Sequence, residues 1–174
     1  MAGKVQKFSK SLAYTATYAN GVLSVTTAAT HYLATGDKVS LTDGQGRTEA
    51  GFPITVTGAA TFTIQARLES FLSGIVVADV FRTGSLGRQI LSNSRSSANG
   101  AAAVIQSFVT GTGAASYTID ASLDGVHWTN IATITHAAIT NDTQAGSVAP
   151  AWAFISINIT AIGAATSLEV FGAV

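Results

Sequence analysis

Along much of this sequence apolar and polar residues alternate with a period of two, the spacing that sends one set of side chains to the buried face of a β-sheet. Ser116–Thr135 shows it well: Tyr117, Ile119, Ala121 and Leu123 form the buried set, and Thr118, Asp120 and Ser122 the opposite one. A second strand-prone run, with Ile131 and Thr133, follows Trp128. Asp124-Gly125 between the runs predicts a tight hairpin, because glycine accepts positive φ and aspartate satisfies its own turn backbone. Ile155, Ile157 and Ile159 alternate with Ser156, Asn158 and Thr160 to predict another half-buried strand.

The first half repeats the pattern. Asn20-Gly21, flanked by Thr and apolar positions, predicts a hairpin with a two-residue type I′ turn. A turn over His31–Gly36 and a strand to Leu41 precede a Gly-rich loop, Asp43–Gly51, and Pro53 is expected to open the next strand because it lacks a ladder donor. Residues 75–82 read as a strand, with a helical turn allowed before Gly74. Ser85–Gly100 is rich in Ser, Asn and Gly and predicts a linker, or an arm laid on another subunit. Strands return over Ala103–Val109, Ser116–Leu123, Asn130–Thr135, Ala153–Thr160 and Ser167–Phe171, with turns at Gly111–Ala114, Asn141-Asp142 and Gly163. The expectation is an all-β protein: an N-terminal arm (1–12), a small β-barrel-like module (13–83), a linker or arm (84–100) and an antiparallel, jelly-roll-like β-sandwich (101–174).

Composition changes what such a fold would do. Charged residues are 10% of the 174 and hydrophobic ones 47%, against roughly 25% charged in an ordinary soluble domain. With formal net charge zero, copies repel one another weakly, which favours association into a homo-oligomer or onto other chains. The same neutrality argues against a nucleic-acid partner. No run reaches the ~18 apolar residues of a membrane span, and the basic opening lacks the apolar stretch of a secretory signal. Synthesis and retention in the cytoplasm are therefore expected. The chain has no cysteine, which excludes disulfides and thiolate chemistry.

Groups that could carry a reaction are few. His31, His127 and His136 fit no close-spaced metal signature; His31 reads as a turn or strand-start residue and His127 as a cap on the hairpin. Asp120 and Asp124 share a strand face at a spacing of four, which allows a weak cation site, but a calcium loop's other ligands are missing, and a turn Asp plus a solvent-face Asp is the plainer reading. No catalytic residue, metal or cofactor is assigned, and no enzyme is expected. Candidate contact residues are the basic ones of the arm and linker, Lys4, Lys7, Lys10, Arg82, Arg88 and Arg95. Trp128 and Trp152 are expected in the sandwich core; an exposed Trp at the sheet end would instead suit sugar stacking, with Trp128 beside Asp124 and His127, or an interface anchor.

Two stretches carry a resemblance. H-Y-L-A-T-G-D-K-V-S-L (His31–Leu41) followed by P-I-T-V-T-G-A-A-T-F-T-I resembles a small β-module of tailed-bacteriophage structural proteins. A-S-L-D-G-V-H-W-T-N-I-A-T and A-W-A-F-I-S-I-N-I-T-A-I-G are similar to β-sandwich domains of phage virion proteins. S-x-D-G-x-x-W-T occurs also in discoidin-like carbohydrate-binding sandwiches. The resemblance implies a non-enzymatic virion component assembled in the host cytoplasm: a capsid decoration or cement protein bridging capsid subunits, with the major capsid protein or other virion proteins as partners. A tail or neck protein, or a glycan-binding host-attachment module, is the alternative.

Overall fold

The computed structural model describes residues 5–90, 102–138, 142–148, 152–164 and 166–173, and among them every regular element is a β-strand. β1 (Val5–Lys7) belongs to the second of two units. The first unit, Lys10–Val80, contains β2 (Lys10–Ala19), β3 (Val22–Thr27), β4 (Lys38–Asp43), β5 (Thr48–Gly58), β6 (Thr61–Gln65) and β7 (Ser73–Ala78). These close into a barrel in the order β2-β3-β6-β5-β4-β7. Alternate residues point inward, so Tyr14, Leu23, Val25, Val39, Leu41, Ile54, Phe62, Ile64 and Val76 fill the interior.

Local chemistry sets the barrel's corners. Asn20 and Gly21 take φ of 52° and 80°, the left-handed pair that a two-residue hairpin requires. At Gly74 a Cβ would lie 1.9 Å from the carbonyl oxygen of Thr42, so β4 and β7 can approach only because that residue has no side chain. His31, which precedes the turn into β4, is buried. Its Nδ1 accepts the Leu33 N–H at 2.9 Å and its Nε2 donates to the Gly58 carbonyl at 3.0 Å, which ties the corner before β4 to the β5–β6 turn.

The second unit consists of β1 and everything from Phe81 onward. It contains β8 (Phe81–Arg82), β9 (Gly87–Ile90), β10 (Ala103–Thr110), β11 (Ala115–Ser122), β12 (Thr129–His136), β13 (Asp142–Val148), β14 (Phe154–Ile162) and β15 (Ser167–Ala173). One antiparallel sheet has the order β1-β15-β10-β13, with β8 also on β15; the other has the order β12-β11-β14-β9. Ile105, Val109, Leu168 and Val170 of the first meet Tyr117, Ile119, Ile157 and Ile159 of the second in one core. The protein is all-β, a barrel and a sandwich.

Several boundaries differ from the sequence reading. Residues 5–7 of the expected arm are β1, paired with Phe171–Ala173, and Lys10 already opens the barrel. Part of the expected linker is β9; residues 91–101 lie outside the described ones. The strand read at 75–82 is two, β7 and β8, belonging to different units. Before Gly74 there is a single turn, closed by the Phe71 N–H on Leu68 O at 3.1 Å. β5 begins five residues ahead of Pro53, which sits beside a register shift where its missing N–H is tolerated. Asp142 opens β13 rather than making a turn. That strand is polar and largely exposed, so its residues show no apolar alternation, yet it pairs with β10 from Ala103↔Val148 to Val109↔Asp142. Leu123 is 67% exposed, because β11 ends at Ser122 and a loop of six residues replaces the tight hairpin.

Candidate functional site

On β11 and β14 the residues alternating with the core set should face water. Asp120 is nonetheless only 4% exposed, and Ser122 and Ser156 are wholly buried. The partner over this patch comes from β9. Arg88 sits opposite Asn158, and its guanidinium pairs with Asp120 Oδ2 at 2.8 Å, donates to Ser156 Oγ at 3.2 Å and lies 4.7 Å from the Trp128 ring centroid. Planar and permanently charged, a guanidinium can satisfy a carboxylate, a hydroxyl and an aromatic face at once. Trp128 is accordingly half-buried and outside the core, while Trp152 packs partly against it. Asp120 is therefore a buried ion-pair partner, not a solvent-face residue. Among the described residues no three His, Cys, Asp or Glu groups gather to hold a metal.

The loop Leu123–Trp128 beside this clasp is locked by Asp124. Its Oδ1 accepts the N–H groups of Val126 and His127, both at 2.8 Å, and the Ser122 hydroxyl at 2.9 Å. Its Oδ2 meets His127 Nδ1 at 2.6 Å. Ser122 Oγ accepts the Gly125 N–H at 2.9 Å, and Gly125 turns with φ of 76° next to the Phe154 ring. The hydrogen bonds from His127, then those from Val126 and Ser122, hold the Asp124 carboxyl well below the usual range, and the same carboxylate raises His127. The loop so fixed presents Leu123 and Val126, the latter 72% exposed.

These shifts predict a pH profile. A carboxyl lowered below its unfolded value of about 4 contributes stability that is complete above that pH and lost as pH falls toward the folded value. Asp124 behaves so, as do Asp142, lowered first by Gln144, and Asp43, lowered by Arg47 and Gln45 against the burial that would raise it. His127 runs the other way: its contribution is complete below about 6.5 and fades as pH rises through its raised value. Thermal melts across pH should show an acid limb, and Asp124→Asn should lose part of that limb together with the alkaline fade. A variant profile parallel to the wild type would refute the assignment.

A second polar cluster lies inside the sandwich. The Tyr117 hydroxyl donates to Ser107 Oγ at 2.9 Å, Ser107 donates to His136 Nε2 at 2.8 Å, and His136 Nδ1 donates to Asp142 Oδ2 at 2.9 Å. A hydroxyl, an imidazole and a carboxylate in this order are the parts that activate a serine nucleophile. Here Ser107 and His136 are wholly buried, and the serine oxygen already accepts a proton from Tyr117. The four groups come from β10, β11, β12 and β13, so the chain of bonds ties one sheet to the other. Burial raises Tyr117 and keeps it a donor. The sequence reading did not connect these residues, although one signal was present: Ser107 falls in the core phase between Ile105 and Val109, and a polar residue there needs a buried partner.

The described candidate contact cations each lie in their own local surroundings. Lys7 pairs with Glu169 at 2.8 Å and lies over Phe171 at 5.2 Å. Lys10 stands 4.8 Å from the Tyr32 centroid, its pKa lowered by burial. Arg82 is on β8 opposite Ser167, and Arg88 is in the clasp. Lys4 and Arg95 lie outside the described residues. Asp124, His127 and Trp128 do share one loop. In the barrel, the Tyr14 hydroxyl is buried without a hydrogen-bond partner, and burial, with Asp43 adding, pushes it up to about 12.

No family model matches the chain, and no curated protein matches it. Among solved structures it is similar, with a TM-score of 0.31 and 7% identity over 98% of this chain and 82% of the other, to the N-terminal CBM22-1–CBM22-2 tandem domain from Paenibacillus barcinonensis Xyn10C. A score so low carries no argument about ligand or function.

Proposed function

We propose that the protein is a non-enzymatic structural subunit of a tailed-bacteriophage particle, a decoration or cement protein that braces the head by bridging capsid subunits. The observation that supports this reading is how the side chains are spent. Arg88, Asp120, Ser107, His136 and Asp142 are turned to internal bracing, while Leu123 and Val126 stand exposed on a loop already locked by hydrogen bonds. A preformed apolar tip gives up little conformational freedom on docking, and covering Leu123 and Val126 removes exposed apolar surface from water. Binding only the assembled shell then stabilises that shell by mass action.

The test is co-sedimentation with capsids that lack the protein. Wild type should pellet at a fixed ratio, and Leu123→Asp with Val126→Asp should weaken binding by about tenfold or more. Wild-type protein left in the supernatant would end the cement reading, and unaided ring formation would favour the tail or neck. The glycan reading rests on Trp128. Arg88 already lies over its ring, where a sugar would stack, so it ranks second. A change in tryptophan fluorescence on a polysaccharide panel, absent in Trp128→Ala, would reverse that order.

A further inference from the structure

The sandwich is assembled from two parts of the chain. β10 to β15 form most of both sheets, and the segment before residue 91 adds three short strands: β1 with three residues, β8 with two and β9 with four. Strands this short hold little pairing of their own. They are fixed by Phe8 and Phe81, wholly buried in the sandwich core, and by two ion pairs, Lys7 with Glu169 and Arg88 with Asp120. In each pair the cation is on an added strand and the carboxylate on β15 or β11. The seat for Arg88 is specific, a nearly buried carboxylate with a serine hydroxyl and an aromatic ring, along an edge of β14 that β9 covers only from Ser156 to Ile159.

We infer that these three strands are exchangeable, and that in an assembled pair β1, β8 and β9 of one copy occupy the seats on β15 and β14 of a second copy. Every strand pairing and both ion pairs are then reproduced between chains, since donor and seat are the same residues. Only one segment has to cross, the twelve residues between Ile90 and Ala103 in the sequence, whose length sets an upper reach of about 40 Å. Zero net charge removes long-range repulsion between copies. Exchange of an identical element is a low-cost route to a dimer, and it competes with the closed form at an effective concentration on the order of millimolar. This inference concerns a second copy of the chain and stands apart from any role in a particle.

Charge reversal tests it. One variant carries Lys7→Glu and Arg88→Asp, the other Asp120→Arg and Glu169→Lys, so each alone sets like charges against like. Mixed and refolded together, they should give a heterodimer of twice the chain mass, because each variant's strands then match the other's seats. Separate species after mixing would count against exchange. A second measurement does not depend on those variants folding alone. The chain has no native cysteine, and Val5 and Ala173 are register partners. Val5→Cys with Ala173→Cys, refolded at millimolar chain concentration and oxidised, should run as a covalent dimer on a denaturing gel. A linked monomer as the sole product would overturn the proposal.

Discussion

Replacing Arg88 by alanine is expected to lower the stability of the sandwich by about 3 kcal/mol, because it strands a charged carboxylate where water hardly reaches. Asp120 is 4% exposed beneath the Arg88 guanidinium, its only ion-pair partner among the described residues. The opposite deletion should be milder. Arg88 is 33% exposed at its side chain and can turn toward water, so Asp120→Asn should cost about 1 kcal/mol. Arg88→Lys should fall between, since an ammonium cannot serve carboxylate, hydroxyl and ring together. Urea midpoints at constant m-value give the ranking, and tryptophan emission should shift in Arg88→Ala as the indole loses its guanidinium. Equal costs for Arg88→Ala and Asp120→Asn would mean that burial of the carboxylate is not what matters.

His136→Ala is expected to cost about 3 to 4 kcal/mol, combining a cavity in a packed core with the loss of a partner for a buried hydroxyl. The imidazole is wholly buried and is the middle link between Ser107 and Asp142. Ser107→Ala should cost about 2 kcal/mol by leaving Tyr117 and the imidazole without their shared partner, and Tyr117→Phe, which removes only a terminal donor, about 1 kcal/mol. A double-mutant cycle between Ser107→Ala and His136→Ala should show clear non-additivity. Additive costs would mean that each residue acts through its own packing and not as part of a bridge between sheets.

Period and turn chemistry were enough to read the class of the fold. The core sets Tyr117, Ile119, Ala121 and Ile155, Ile157, Ile159 and the Asn20-Gly21 hairpin lie where a two-residue period and a left-handed turn put them, because both depend on residues adjacent in the chain. β13 escaped for the converse reason. Its polar residues are held by pairing with β10, a partner more than thirty positions away, and leave no mark in the local pattern.

The candidate site was legible in part. Asp124, His127 and Trp128 were singled out, and one loop holds all three, since they are close in sequence. Arg88 was read as a reaching cation, when its charge is spent on Asp120. Alternation assigns Asp120, Ser122 and Ser156 to the outer face, and the structure keeps them there, but it cannot tell that a strand from elsewhere will carry Arg88 over that face. Which residues are buried was thus decided locally for the core and by tertiary contact for the clasp. A strand's period is a property of its own backbone, whereas the cover on its second face depends on a segment some thirty residues distant in the chain.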